Sequence, residues 1–126
     1  MLNLLLVDAS NVVRKVGRRL FSEFGFAVCE AANLHEAREF CKEGSLPDYI
    51  IIDEAMAESL EFIADLRKIP LGKNVFVYCL LIEVDFKKMI SGAKVGVNDF
   101  LLKPFNRETL QFALRDLPQM KKFALA

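Results

Sequence analysis

The sequence predicts one α/β domain in which a parallel β-sheet is covered by helices on both faces. Five short apolar runs alternate with five amphipathic stretches along the 126 residues. Strands that alternate with helices are joined by crossover connections, which make the strands parallel. The runs LLLV and YIII lack polar alternation, as expected for strands covered on both sides. A chain of this length that is 53% apolar can build one core. We therefore predict that residues 1–126 form a single, doubly wound domain.

The first strand and the first helix lie at the start of the chain. The apolar run at 2–7 predicts a strand. Residues 11–24 predict a helix because their apolar side chains recur at helical spacing. Ser10 is a good N-cap for this helix, and Gly25 is a good stop signal.

The other four strand–helix pairs follow the same pattern. Short apolar runs predict strands over 27–31, 48–53, 75–82 and 99–102. Amphipathic stretches predict helices over 34–44, 60–68, 85–95 and 107–117. Gly44 would end the second helix, and Asn106 would cap the fifth. Three aromatic residues are expected to pack in the core or the tail rather than to form a recognition patch: Phe105, Phe112 and Phe123.

Charge and cysteine usage exclude several classes of protein. The 17 basic residues equal the 17 acidic ones, so the sequence has no excess of positive charge for nonspecific nucleic-acid binding. Cys29, Cys41 and Cys79 form no CxxC pair, and the chain has one histidine, so we expect free thiols rather than a zinc site. Asp8 interrupts the apolar start, and no apolar run approaches ~20 residues. We expect a cytoplasmic protein without a membrane or nucleic-acid partner.

Three ionisable residues follow the carboxyl ends of predicted strands, where ligands bind in such sheets. Asp8 follows the first strand, Asp53 ends the third, and Lys103 follows the fifth. Neighbouring strands lie ~4.8 Å apart, so the two aspartates would be close like charges that need a cation between them. A nucleophilic carboxylate, a basic side chain and Mg²⁺ are the parts required for phosphoryl transfer to aspartate.

The segments that carry these residues resemble the receiver domains of bacterial two-component response regulators. They read LLLVDAS followed by VVRKVGRRL, then YIIIDEAM, then GVNDFLLKPF. The likeness covers nearly the whole chain and is strongest to single-domain regulators of the chemotaxis type. It implies a flavodoxin-like fold with strand order 2-1-3-4-5 and a signalling domain rather than an enzyme.

The resemblance assigns a role to each residue that matches a family motif. It implies that Asp53 accepts the phosphoryl group, that Asp8 helps to position Mg²⁺ and that Lys103 contacts the phosphate. Phe100 matches the aromatic switch position, and the Lys103–Pro104 bond is expected to be cis.

The metal-binding part of the motif departs from the family. The second acid that usually follows the first strand is replaced by Ala9, which weakens the expected Mg²⁺ site. Glu54 is a candidate replacement ligand. The loop AMAES lacks the usual Pro and Gly and looks about two residues short. The backbone carbonyl of Ala55 matches the family's metal-binding carbonyl.

The hydroxyl of the family's switch is also missing. The Ser or Thr that ends the fourth strand corresponds to Leu81, or to Cys79 in a shifted alignment. Leucine donates no hydrogen bond, and a thiol is a weak donor. The usual coupling from phosphorylation to the output face is therefore expected to be absent or altered.

Two basic surfaces are candidates for partner docking. The first helix carries a stripe formed by Arg14, Lys15, Arg18 and Arg19. In the family this helix docks on a histidine kinase or a phosphotransfer protein, and a basic stripe favours an acidic partner; the alternative is a solvated helix face. The fourth helix carries Lys87, Lys88 and Lys94 and would belong to an output or dimer surface for a downstream protein target. We expect a monomer or a weak dimer.

Two functions fit this pattern. The sequence favours a phosphoaccepting switch, in which about 1.5–2 added negative charges bias a two-state equilibrium. The alternative, which Ala9 and Leu81 favour, is a pseudo-receiver that binds proteins without phosphorylation. An aspartyl-phosphatase enzyme would need an acid at Ser10, and a flavin-binding relative would need glycine in DASNVVRK.

Overall fold

The computed structural model describes residues 2–42, 46–118 and 120–121, and within them strands and helices alternate. The strands are β1 (Asn3–Val7), β2 (Ala27–Ala31), β3 (Tyr49–Asp53), β4 (Phe76–Leu81) and β5 (Asp99–Leu102). The helices are α1 (Asn11–Glu23), α2 (Leu34–Lys42), α3 (Ser59–Lys68), α4 (Phe86–Val95) and α5 (Arg107–Ala113). A 3-10 turn at Gly72–Asn74 lies between α3 and β4.

The sheet has the order β2-β1-β3-β4-β5, and each neighbouring pair is parallel. The predicted α/β class and the strand order 2-1-3-4-5 are thus confirmed. The reversal of strand order falls between β1 and β3, which pair with Val7 opposite Ile52. Ligands bind at such a switch point, beyond the carboxyl ends of the strands.

Both faces of the sheet are buried, as the unbroken apolar runs predicted. Leu6 packs on one face with Phe21 of α1 and Leu110 of α5. Leu5 points the opposite way and packs with Ile63 of α3. Successive strand residues alternate between the two faces, so each apolar run supplies both layers of the core. This packing fixes the strand ends that carry the polar residues.

Some element boundaries differ from those predicted. The fifth helix ends at Ala113 rather than at residue 117. The chain then tightens into turns, in which the amide of Arg115 donates to Phe112 and that of Leu117 to Leu114. These bonds close three-residue turns that compete with a continued α-helix. Gly44, the predicted end of the second helix, lies outside the described residues.

The aromatic residues at the C-terminal end divide between core and surface. Phe105 packs against Phe21, with ring centroids 6.2 Å apart, as predicted. The prediction for Phe112 is wrong, because its side chain is 67% exposed. Leu110 and Leu114 are four residues apart and lie on the buried side of the chain. Phe112, midway between them, therefore lies on the opposite, exposed side. Phe123 lies outside the described residues.

Arg67 of α3 connects three segments at the amino ends of the last two strands. Its guanidinium donates to the carbonyls of Gly72, Val75 and Gly96 and to the side chain of Asn98. The same Asn98 oxygen accepts the amide of the β4 residue Val77 at 2.7 Å. Because Arg presents five N–H donors in a fixed fork, it can satisfy several carbonyls at once.

A membrane-crossing helix requires a long apolar stretch. Within the described ranges, 2–42, 46–118 and 120–121, none of the helices has that length and character.

Candidate functional site

Three polar side chains meet at the carboxyl end of the sheet. Asp8 follows β1 directly, and Asp53 ends the neighbouring strand β3. Lys103 follows β5, and its Nζ lies 3.0 Å from Oδ2 of Asp8 and 3.4 Å from Oδ2 of Asp53. The structure therefore brings together the three residues singled out in the sequence. Their chemical roles stay predictions.

Asp8 is held in one orientation by hydrogen bonds to both of its carboxylate oxygens. It is 1% exposed. Its Oδ1 accepts the backbone amide of Ser10 at 2.8 Å, and its Oδ2 accepts Lys103. Ser10 also caps α1, as predicted, because its hydroxyl accepts the amide of Val13. The turn that starts the helix thus also fixes the carboxylate.

Asp53 is more accessible than Asp8. Its side chain is 14% exposed, and its Oδ1 accepts the backbone amide of Ala55 at 3.1 Å. Lys103 is anchored through its own amide, which donates to the carbonyl of Leu81 at 2.8 Å, and it precedes the expected cis bond to Pro104. Of the two aspartates, Asp53 is therefore the one that an incoming group can reach, with Lys103 in contact with both.

The two candidate switch positions on β4 have different surroundings. Leu81 lines the pocket beside Asp53. Cys79 is fully buried in the apolar core. Burial, together with the charges of Glu54 and Asp53, raises the pKa of Cys79 to about 12, so its thiol stays protonated near neutral pH. Of the two, Leu81 is the one placed beside Asp53, and its side chain has no polar group.

Phe100, which occupies the aromatic switch position, packs against α4. It is half-buried and packs with the core layer that contains Ile63. Its ring lies so close to Gly92 of α4 that a Cβ on that glycine would be 2.9 Å from the ring. A side chain at position 92 would push the ring away from the helix. The small residue therefore permits close packing between Phe100 and α4.

Glu54 forms an ion pair that the sequence did not reveal. Its Oε2 lies 3.3 Å from Nζ of Lys88 on α4. The backbone of Glu54 is fixed as well, since its amide donates to Leu80 and its carbonyl accepts the hydroxyl of Ser59. The carboxylate considered as a replacement metal ligand is thus already paired with a lysine.

The oxygen atoms near Asp53 suit a weak magnesium site. Asp8, Asp53 and the carbonyl of Ala55 are hard oxygen donors, and Mg²⁺ commonly uses one or two carboxylates with water and phosphate as the other ligands. Ala9 adds no ligand, and both carboxylates already accept protein hydrogen bonds. Among the described residues, no cluster of three or more His, Cys, Asp or Glu could form a metal cage. The donor set therefore fits a water-rich, weakly held ion.

The basic stripe of α1 is partly neutralised by Glu30 of β2, an acid that no sequence motif singled out. Glu30 of β2 lies within 3.7 Å of Arg14, Lys15 and Arg18. The side chain of Arg14 is only 14% exposed, whereas Lys15 and Arg18 are 65% and 51% exposed. Arg14 also donates to the backbone carbonyl of Asp8 at 2.7 Å. Lys15 and Arg18 are therefore the accessible cations around Glu30, and Arg19, which is 82% exposed, extends the stripe on α1.

This cluster predicts a pH-dependent contribution to stability. Burial opposes ionisation of Glu30, but Arg18, Lys15 and Arg14 outweigh it and lower its pKa below the usual 4.5. Because the pKa of Glu30 is lower in the folded than in the unfolded state, its ionised form stabilises the fold at pH values above the unfolded-state pKa. This stabilisation is lost as the pH falls through the folded-state pKa. Glu30→Gln should cost about 1 kcal/mol near pH 7.

The stabilities of wild type and Glu30→Gln in urea unfolding should therefore differ near pH 7, and the difference should shrink as the pH falls below 4.5. Glu61→Gln, an exposed acid on α3, is the matched control and should match wild type throughout this pH range. A difference for Glu30→Gln that grows on acidification would contradict the assignment.

Comparisons with known proteins agree with this geometry. The sequence of residues 4–115 matches the response regulator receiver domain family. The solved structure of the chemotaxis response regulator CheY4 of Vibrio cholerae is 31% identical, with a TM-score of 0.83. The superposition covers 91% of this chain and 97% of that one.

Two curated relatives differ in total length. The chemotaxis protein CheY of Halobacterium salinarum is 29% identical, over 90% of this chain and 93% of that protein. The protein named "Probable transcriptional regulator ycf27" of Cyanidium caldarium is 26% identical, over 91% of this chain but 45% of that protein. This chain thus spans nearly all of one relative and less than half of the other. With the family match over most of its length, the chain belongs to the response regulator receiver domains.

Proposed function

We propose that this domain accepts a phosphoryl group on Asp53 from a histidine kinase or a histidine phosphotransfer protein. Receiver domains are signalling domains rather than classical enzymes. The observation that carries the proposal is the position of Lys103, whose ammonium contacts both Asp8 and the more accessible Asp53. Such a cation stabilises charge that develops on a phosphoryl oxygen.

In the proposed reaction, an oxygen of Asp53 attacks the phosphorus of a phosphohistidine. The new P–O bond forms as the P–N bond breaks, and the imidazole leaves with the bonding electron pair. Lys103 stabilises the phosphoryl oxygens during transfer, and Asp8 holds the ammonium in place. Mg²⁺ would be held by Asp8, Asp53 and the Ala55 carbonyl, and when bound it supplies positive charge to the same oxygens.

The partners proposed for this domain are proteins. Lys15 and Arg18 offer an accessible basic surface to an acidic kinase or phosphotransfer protein, which raises the association rate. A downstream protein target would read the phosphorylated form. The balanced charge supports a role without nucleic-acid contact, and the three free cysteines support a cytoplasmic site of action. We further propose that residues 1–126 act as one domain, as a monomer or a weak dimer.

The test is phosphorylation by a small donor. Wild type, Asp53→Asn and the control Asp116→Asn, an exposed acid, are incubated with phosphoramidate and saturating Mg²⁺, and intact masses are recorded. Wild type and the control should each gain one phosphoryl group, and Asp53→Asn should gain none. Removing Mg²⁺ with a chelator should slow the gain strongly.

The alternative is a pseudo-receiver that works through protein binding alone. It is favoured by Leu81, which puts no hydroxyl beside Asp53, and by Ala9, which removes a metal ligand. Under this alternative wild type gains no phosphoryl group at saturating Mg²⁺ from phosphoramidate or from a cognate kinase.

A further inference from the structure

The pocket beside Asp53 is strongly acidic. It has a volume of about 150 Å³, enough for several water molecules. Its ionisable lining residues are Asp53, Glu54, Glu83, Asp85 and Lys88. Four acidic residues and one lysine thus line this space, and an anion that enters it is favoured only if nearby positive charge is available to it.

Lys88 is placed to supply that positive charge. Among the described residues that line this pocket, it is the one with a positive side chain. Its Nζ lies 3.3 Å from Glu54, which follows Asp53 directly in the chain. The side chain is 50% exposed, so the ammonium can move without disturbing the core.

The backbone of Lys88 is held in place even though its side chain is half exposed. Asp85 caps α4, and its Oδ1 accepts the amide of Lys88 at 3.2 Å. Lys88 therefore belongs to the first turn of α4, and a change in the contacts of its ammonium acts on the start of that helix.

A phosphoryl group on Asp53 would compete with Glu54 for this ammonium. Glu54 offers one negative charge, whereas a phosphoryl group offers about 1.5 to 2 and three acceptor oxygens. Lys103 already contacts both Asp8 and Asp53, whereas the side chain of Leu81 has no donor. Lys88 is therefore the candidate for a second charged donor to a phosphoryl group on Asp53. The more highly charged anion makes the stronger charge-assisted hydrogen bond.

We propose that Lys88 exchanges Glu54 for the phosphoryl group on Asp53 and in this way reports phosphorylation to α4. The ammonium supplies the donor that Leu81 lacks. It also connects the reaction site to a helix that packs on Phe100. This inference rests on the proposed function of Asp53.

The rate of phosphoryl gain tests the contact. Lys88→Gln is compared with wild type and with Lys87→Gln, which removes the same charge one residue earlier on α4. With phosphoramidate and saturating Mg²⁺, Lys88→Gln should be phosphorylated about five to ten times more slowly, since one charged donor is lost. Lys87→Gln should stay within about twofold of wild type, and Lys88→Arg should recover much of the rate.

Backbone amide NMR tests the coupling in the same samples. Once each protein is fully phosphorylated, amides of α4 beyond its first turn should shift in wild type and Lys87→Gln and should shift much less in Lys88→Gln. A Lys88→Gln rate equal to that of wild type overturns the contact, and α4 shifts that persist at full size in Lys88→Gln overturn the coupling. If wild type itself gains no phosphoryl group, the proposed function falls, and this inference falls with it.

Discussion

Replacing Lys103 with methionine is expected to slow phosphoryl gain at Asp53 by about 100-fold to 1,000-fold, the usual effect of removing a preorganised charge-stabilising donor. Lys103 is 15% exposed and contacts both carboxylates of the site. Without this ammonium, the negative charge on the phosphoryl oxygens is repelled by Asp8 and is no longer stabilised by Lys103. Methionine keeps the length and most of the volume of the lysine stem, so the effect reports the lost ammonium.

Intact mass recorded over time after adding phosphoramidate and Mg²⁺ gives the rate. Lys73→Met is the matched control, because Lys73 is exposed and precedes β4, far along the strand from the site. Circular dichroism confirms that each variant is folded. A Lys103→Met rate within threefold of the control would show that this lysine has no part in the transfer.

Replacing Arg67 with methionine is expected to lower the free energy of unfolding by about 3 kcal/mol, because carbonyl groups lose charged donors in a poorly hydrated setting. The carbonyls of Val75 and Gly96 accept Arg67 at 2.7 and 2.6 Å. Burial also lowers the pKa of Arg67, which indicates that the guanidinium is partly removed from water. The corresponding fall in melting temperature is about 10 °C for a chain of this length.

Thermal and urea unfolding of Arg67→Met, Arg67→Lys and Lys68→Met provide the measurement. Arg67→Lys should fall between wild type and Arg67→Met, since one ammonium cannot reproduce a fork of donors. Lys68→Met, an exposed neighbour, should behave like wild type. Equal stability of all four proteins would mean that water replaces the guanidinium at no cost.

The fold and the central site could be predicted because both depend on local patterns and on topology. Apolar runs and helical spacing identify the elements, and parallel strands bring their carboxyl ends to one edge. Asp8 and Lys103 directly follow strands and Asp53 ends one, so their meeting was predictable from the strand order.

The ion pairs around the site could not be predicted in the same way. Glu54 and Lys88 are far apart in the chain, as are Glu30 and Arg14. Each pair depends on how a helix lies on the sheet and on which way its long side chains turn, and no local pattern encodes that packing. A glutamate in an otherwise apolar strand such as AVCEA was the available signal for Glu30.

Arg14 contacts both the basic docking surface and the reaction site, and this affects how mutations of that surface can be interpreted. One guanidinium holds Glu30 and also the carbonyl of Asp8. A kinase that loses affinity for an Arg14 variant could be responding to a missing charge or to a displaced aspartate. Variants of Lys15 and Arg18 disturb the pairing with Glu30 but leave the contact with the Asp8 carbonyl intact, so they report on kinase recognition more directly. Arg14 variants instead reveal how the docking surface and the geometry of phosphoryl delivery depend on each other.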